Sequence, residues 1–358
     1  MSRFLHPRFS GLQSYTPGEQ PQDRSYIKLN TNESPYPPAP AVLAALGPEQ
    51  LRDLRLYCDP EGLRLRCKLA AQYGLRPEQV MLTNGSDDVI NFVLTAFAGE
   101  GAGVAFPDVT YGFYEVIAAL QGLQTRRIPL QEDFTVRVKD YFGLEEMILL
   151  ANPNAPTGIA LPPEEIERIL QHNPDRVVLV DEAYVDFGAQ SAVGLIDRYE
   201  NLLVSMTFSK SRSLAGGRLG FVMGQKPLMD DLNRLRYSTN PYNVNRMTLT
   251  CGEAALDSQA YYDDCCTKIM RTRAETHRAL ENLGLEVLPS MGNFLFVKSA
   301  VVGGEAMYLS LKKKGVLVRY FTVPRIAQFN RVTIGTPEQM EILIEKIREI
   351  LQEKGERI

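Results

Sequence analysis

Lys210 lies in the run Thr207-Phe208-Ser209-Lys210, and Arg218 follows it in Leu214-Ala215-Gly216-Gly217-Arg218-Leu219-Gly220. An amine flanked by two hydroxyls and a guanidinium can hold a phosphate dianion while the amine forms a Schiff base with an aldehyde. That is the attachment chemistry of pyridoxal phosphate. A second candidate is Asp181-Glu182-Ala183-Tyr184. Its aspartate could face a pyridinium nitrogen and keep the ring an electron sink, with Tyr184 donating to the ring's phenolate oxygen. The same acidic pair could equally terminate a strand and cap a helix.

Three further segments could complete such a site. Asn84-Gly85-Ser86-Asp87 opens a helix, where successive backbone N–H groups attract an anion, although Asn84-Gly85 is also a plain turn signal. Tyr111, in Asp108-Val109-Thr110-Tyr111-Gly112-Phe113-Tyr114, could stack on a planar ring. Phe113 and Tyr114 read as core or helix packing. The loop Asn152-Pro153-Asn154-Ala155-Pro156-Thr157-Gly158 is fixed by prolines and carries side-chain amides.

The elements that must position these residues alternate. Short apolar runs predict strands at 80–83, 103–106, 127–130, 147–151, 177–180, 202–207 and 219–223. Helix-like stretches cover 87–98, 111–120 and 163–171. Most of the runs are continuously apolar, as a sheet covered on both faces requires. Each candidate segment then follows a strand, and ligand sites on open parallel sheets form at such strand ends. Beyond 224 the pattern changes to helices at 243–256 and 261–283. Strands at 285–288, 293–297, 316–320 and 331–334 follow, with helices at 304–314 and 337–352. The expected organisation is an N-terminal arm (1–40), rich in proline, a large α/β unit (41–257) and a smaller α+β unit (258–358) that takes in part of the N-terminal segment.

With 358 residues and a net charge of −4, the chain shows no basic block that would suit nucleic acid, and no apolar stretch long enough for a bilayer. Its N-terminus lacks the apolar segment of a secretory signal, so a cytoplasmic protein is expected. The five cysteines show no metal or disulfide spacing and read as reduced thiols; the three histidines, His6, His172 and His277, are scattered among polar neighbours. No metal site is expected.

Taken in order, Asn30-Thr31-Asn32-Glu33-Ser34-Pro35-Tyr36, the Ala-Pro-Thr-Gly loop, Asp181 in Asp-Glu-Ala-Tyr and Lys210 with the Leu-Ala-Gly-x-Arg-x-Gly that follows it resemble the class I/II aminotransferases of PLP fold type I, especially the histidinol-phosphate aminotransferases. The resemblance runs from about 15 to 348. It implies a large domain with a mostly parallel seven-stranded sheet plus a smaller α+β domain. It also implies a pyridoxal 5'-phosphate cofactor, small amino-acid and 2-oxo-acid substrates, and a homodimer with shared sites.

Carried over by position, Lys210 would be the catalytic lysine. Gly85, Ser86, Asp87, Thr207, Ser209 and Arg218 would surround the cofactor phosphate, and Tyr111, Asp181 and Tyr184 its ring. Tyr57 would reach the phosphate from the partner subunit. The substrate would meet Tyr15 and Asn32, with Arg319 and Arg331 gripping its acidic group. The chain departs from the pattern at Ala155, where many members carry the asparagine that meets the ring oxygen. Either Asn154 reaches in from a shifted loop or Tyr184 carries that bond with less help, and Asn154 is the expected partner.

The implied reaction is ping-pong transfer from histidinol phosphate to 2-oxoglutarate, giving imidazole acetol phosphate and glutamate in histidine biosynthesis. Threonine-phosphate decarboxylation, an aromatic or broad-range transamination, and a non-catalytic PLP-binding regulatory role are the alternatives.

Overall fold

The structure, a computed structural model, describes residues 2–99 and 103–355; the outermost residues of the expected terminal segments, 1 and 356–358, lie outside it. Among the described residues thirteen strands run in chain order: β1 (Ile27–Lys28), β2 (Val80–Thr83), β3 (Gly103–Pro107), β4 (Gln124–Ile128), β5 (Met147–Ala151), β6 (Val178–Asp181), β7 (Leu202–Thr207), β8 (Gly220–Gly224), β9 (Leu285–Val287), β10 (Phe294–Ser299), β11 (Val316–Leu317), β12 (Arg319–Tyr320) and β13 (Phe329–Thr333).

Seven of them form one sheet in the order β2-β8-β7-β6-β5-β3-β4. All its pairings are parallel except those of β8, which runs antiparallel to β2 and β7. The fold is therefore the α/β, mostly parallel seven-stranded arrangement that the apolar runs predict. β6 and β7 are buried along their whole length, so Leu and Val suit both faces. Two apolar cores flank the sheet. One includes Leu150, Val180 and Phe208, and the other includes Val93, Tyr114 and Leu179. Strand β4 departs from the expected 127–130 because it is an edge: Gln124, Thr125, Arg126 and Arg127 are exposed and offer no apolar pattern to locate it.

A four-stranded sheet, β12-β13-β10-β9, carries a further core with Leu295, Val318 and Leu343. The 24-residue helix Gln259–Asn282 joins two of these cores, burying Tyr262 in the one that holds Leu150 and Ile269 and Leu280 in that of the small sheet. The expected strand 316–320 is split at Val318. Its first half pairs with β1 in parallel, and its second half joins β13. That pairing anchors the N-terminal segment through buried Leu29, whereas residues 11–26 form no regular element and run along the surface. Among the described residues, four α-helices lack a predicted counterpart: Pro40–Ala45, Pro48–Arg52, Leu63–Tyr73 and Lys226–Thr239. None buries more than three residues, so their apolar periodicity is faint. Among the described residues, no helix is long and apolar enough to cross a membrane.

Candidate active site

The carboxyl ends of β2, β5, β6 and β7 open into one cavity of about 420 Å³, roofed by the N-terminal segment and the small sheet. Topology dictates this position, because parallel strands deliver all their C-terminal loops to the same edge. At one end stand Ser86, Asp87, Thr207, Ser209 and Arg218. Ser86 starts the helix Ser86–Phe97, whose first free amides give that end a positive field. Thr207 donates to Ser209 Oγ at 3.0 Å. Arg218 Nη2 donates to Asp87 Oδ2 at 3.1 Å, and Tyr111 donates to Asp87 Oδ1 at 3.0 Å.

Glycine makes this end possible. Gly85 has φ +84°, and a Cβ there would come within 2.6 Å of the Arg218 guanidinium. At Gly220 a Cβ would lie 2.5 Å from the Gly85 carbonyl carbon and 2.6 Å from Ser86 N, so that strand packs directly on the turn. Arg218 itself has φ +52° and Asn32 φ +55°, left-handed conformations that non-glycine residues rarely hold without tight fixation.

In the middle of the cavity, Lys210 Nζ donates to the Thr31 carbonyl at 3.2 Å and sits 5.7 Å from the centre of the Tyr184 ring. Tyr184 OH accepts from Asn32 Nδ2 at 3.0 Å, and Thr333 donates to the Asn32 Oδ1 at 2.9 Å. Asn32 is buried behind Tyr184 and does not line the cavity, so it meets the site through that phenol. Asp181, at the end of β6, is buried. Loss of hydration pushes its carboxyl up to about 6, against hydrogen bonds from Tyr114 and Ser205 that pull it down. Its neighbour Glu182 points away from the cavity and accepts from Ala192 N at 2.7 Å and from Ser191 Oγ at 2.5 Å; burial pushes it up to about 8.

At the far end Arg319 and Arg331 face inward with Tyr15. Arg319 donates to the carbonyls of Thr16 and Pro17 at 2.8 and 3.0 Å, so it also pins the N-terminal segment. Arg331 donates from Nη2 to Asn30 O at 3.0 Å, while its Nε is a buried donor without a partner. Burial lowers the Arg331 pKa from its usual range. Tyr15 sets its ring edge-on to Tyr111 and Phe113, and burial raises its phenol.

Two expected residues stand elsewhere. Asn154 is not among the lining residues: its amide donates to Val109 O and Thr157 Oγ1, both at 3.0 Å, and its oxygen accepts from Thr110 at 2.8 Å. The side chain is spent on bracing the Pro-fixed loop, and the adjacent Ala155 faces the cavity instead. The expectation that Asn154 reaches in is corrected accordingly, and Tyr184 is left as the phenol beside Lys210. Tyr57 is 79% exposed, stacked on Tyr242 at 4.4 Å, and lies outside this chain's own cavity. Sequence reasoning missed Glu33, which lines the cavity and is held by Lys28 and Thr31. It also missed the bond of Tyr114 to Asp181, which no spacing rule signals.

The donor set suits a ring that carries a phosphate and a basic nitrogen: hydroxyls, helix amides and Arg218 at one end, buried Asp181 below, and an amine between. The glycines at 85 and 220 let the Arg218 guanidinium and strand β8 close directly on the turn at this end. The sequence model of the family described as "Aminotransferase class I and II" matches residues 24–347. A histidinol-phosphate aminotransferase of Brachyspira hyodysenteriae is 45% identical over 98% of this chain and 100% of its own length. One from a Marinomonas species is 47% identical over 96% and 98%. Among solved structures, histidinol-phosphate aminotransferase from Sinorhizobium meliloti in complex with pyridoxal-5'-phosphate superposes with a TM-score of 0.89 at 25% identity, covering 99% of this chain and 98% of that one. With the family's sequence pattern spanning both sheets and the cavity between them, this chain belongs to the class I and II aminotransferases.

Proposed function

We propose that this pyridoxal-phosphate-dependent aminotransferase transfers the amino group of histidinol phosphate to 2-oxoglutarate, forming imidazole acetol phosphate and glutamate in histidine biosynthesis. The observation that carries the substrate reading is the pair Arg319 and Arg331 lining the same cavity as Lys210, with the Arg331 Nε a buried donor that has no partner among the described residues. Two guanidiniums suit a phosphate monoester in one half-reaction and the distal carboxylate of a 2-oxo diacid in the other. Relatives 44–47% identical over nearly the whole chain carry the corresponding name, which supports the same choice.

When bound, pyridoxal phosphate supplies an electron sink that makes the substrate's Cα–H acidic. Ser86, Thr207, Ser209 and Arg218 would hold the phosphate, Asp181 the ring nitrogen, Tyr184 the ring oxygen and Tyr111 one ring face. Lys210 Nζ would be the point of covalent attachment and, when free, the base that would take up the substrate's Cα proton. Arg319 and Arg331 orient the substrate so that this proton faces Nζ, and Tyr15 closes over them to exclude water. Tyr57, exposed and stacked on Tyr242, would reach the phosphate of a second copy, making the working form a homodimer. Five free cysteines suit a cytoplasmic enzyme.

The test is amino transfer from histidinol phosphate to 2-oxoglutarate by the purified protein, run beside carbon dioxide release from threonine phosphate and transfer from aromatic amino acids. A dominant rate in either of the last two assays would overturn the substrate assignment.

A further inference from the structure

Behind Asp181 stand two hydroxyls that do not touch the cavity. Tyr114, on the helix Phe113–Gln121, is fully buried and donates to Asp181 Oδ2 at 2.9 Å. Ser205, the residue of β7 directly opposite Asp181 in the β6–β7 ladder, is also fully buried and donates to Oδ1 at 3.0 Å. A hydroxyl rotates freely and can donate to any nearby carbonyl. Here both converge on one carboxylate, one per oxygen, which fixes the plane of the group as well as its position. The Tyr114 ring is itself fixed, edge-on to Tyr111 at 5.5 Å and tilted against Phe106 at 6.1 Å. Tyrosines three residues apart thus tether two carboxylates: Tyr111 holds Asp87 on the cavity wall, and Tyr114 passes beneath to hold Asp181.

We propose that Tyr114 and Ser205 are positioning residues that keep Asp181 ionised and aimed at the ring nitrogen of the cofactor, so that they set the strength of that one pairing and not cofactor binding in general. The inference rests on the reading of Asp181 as the partner of the ring nitrogen. Its physical basis is the burial of Asp181. Removal from water drives a carboxyl toward its neutral form, and the nearby charge of Asp87 drives it the same way. Hydroxyl donors oppose both, because a carboxylate accepts such bonds better than a carboxylic acid does. Without them, a neutral acid at this position would offer a ring cation much less.

The test compares two ligands on the full-length protein stripped of cofactor: pyridoxal phosphate, and the analogue in which the ring nitrogen is replaced by C–H. The parent protein is expected to prefer the nitrogen-containing ligand. Tyr114→Phe and Ser205→Ala should each shrink that preference by about five-fold or more while leaving affinity for the analogue nearly unchanged. An unchanged ratio in both variants, or equal loss of affinity for both ligands, overturns the inference. A parent protein with no preference overturns instead the assignment of Asp181 to the ring nitrogen, a separate and recognisable result. If circular dichroism shows that Tyr114→Phe fails to fold, Ser205→Ala, which removes a single buried oxygen, decides the question alone.

Discussion

Arg218 and Asp87 meet at 3.1 Å, and the second oxygen of that carboxylate is taken by Tyr111 at 3.0 Å. The group assigned to the cofactor phosphate and the group assigned to its ring face are therefore set by one acidic side chain. A planar guanidinium can bond Asp87 with one edge and a phosphate with another, which an ammonium on a flexible stem cannot do. Arg218→Ala should weaken pyridoxal phosphate binding by roughly 1.5–3 kcal/mol, the range for hydrogen bonds to charged groups. Arg218→Lys should recover only part of it. Equilibrium titration of the cofactor-free protein checks both, and unchanged affinity in Arg218→Ala would remove this residue from the phosphate site.

Lys210 has only the Thr31 carbonyl as a hydrogen-bond partner among the described residues, an arrangement that leaves its amine free to react. Lys210→Ala should lose at least about 10²–10⁴-fold in amino transfer, the usual contribution of a positioned proton carrier, and more because the covalent attachment goes too. The absorption band of the attached cofactor should vanish with it, while the melting temperature of the cofactor-free protein stays close to the parent's. Turnover at the parental rate would refute the assignment.

At the other end of the cavity, Arg331 keeps Nε unpartnered while its Nη2 holds the Asn30 carbonyl. A buried donor without a protein acceptor costs free energy that a bound anion would recover. Arg331→Ala should raise KM for acidic substrates by an amount worth roughly 1.5–3 kcal/mol, with a smaller effect on kcat. Arg319→Ala should do the same and also loosen the N-terminal segment, since it releases the Thr16 and Pro17 carbonyls. Steady-state kinetics with histidinol phosphate and with glutamate separate the two half-reactions, and an unchanged KM in both would count against a shared acid-binding pair.

How far the sequence discloses this arrangement depends on whether a feature is local. Strands β5 and β7 are legible to the residue, because a strand buried on both faces is written as a nearly continuous apolar run, broken within β7 only by Ser205. Lys210, Asp181 and Ser86 stand directly after such runs, so the topology of a parallel sheet carries them to one edge. Tyr114 reads as packing in the sequence because its partner is 67 positions away and reaches it only through the third dimension. Asn154 failed for a different reason. Its distance along the chain from the usual asparagine position is a single residue, but in a loop braced by prolines one residue turns the side chain from the cavity to the Val109 carbonyl. The edge strand β4 and the helix Lys226–Thr239 were obscure because little of either is buried, and burial is what writes periodicity into a sequence.

Glu182 offers a test that does not involve catalysis. It is buried, its oxygens accept from Ala192 N and Ser191 Oγ, and burial raises its carboxyl to about 8. In the unfolded chain the same group titrates near the ordinary glutamate value of about 4.3. Between those two points the folded protein holds a proton that the unfolded chain has released, so stability is greatest at the acid end of the window and falls as pH rises toward about 8. Asp181, raised to about 6, adds a loss in the same direction at lower pH. Glu182→Gln mimics the protonated form: the amide oxygen can accept from Ala192 N, and the amide N–H₂ can donate to Ser191 Oγ. The variant should therefore melt with a shallower pH dependence between about pH 6 and 8, and be at least as stable as the parent at the alkaline end. Thermal melts of the cofactor-free protein across that range supply the measurement. Parallel curves for the two proteins would show that Glu182 is ionised in the folded state and that its two donors outweigh its burial.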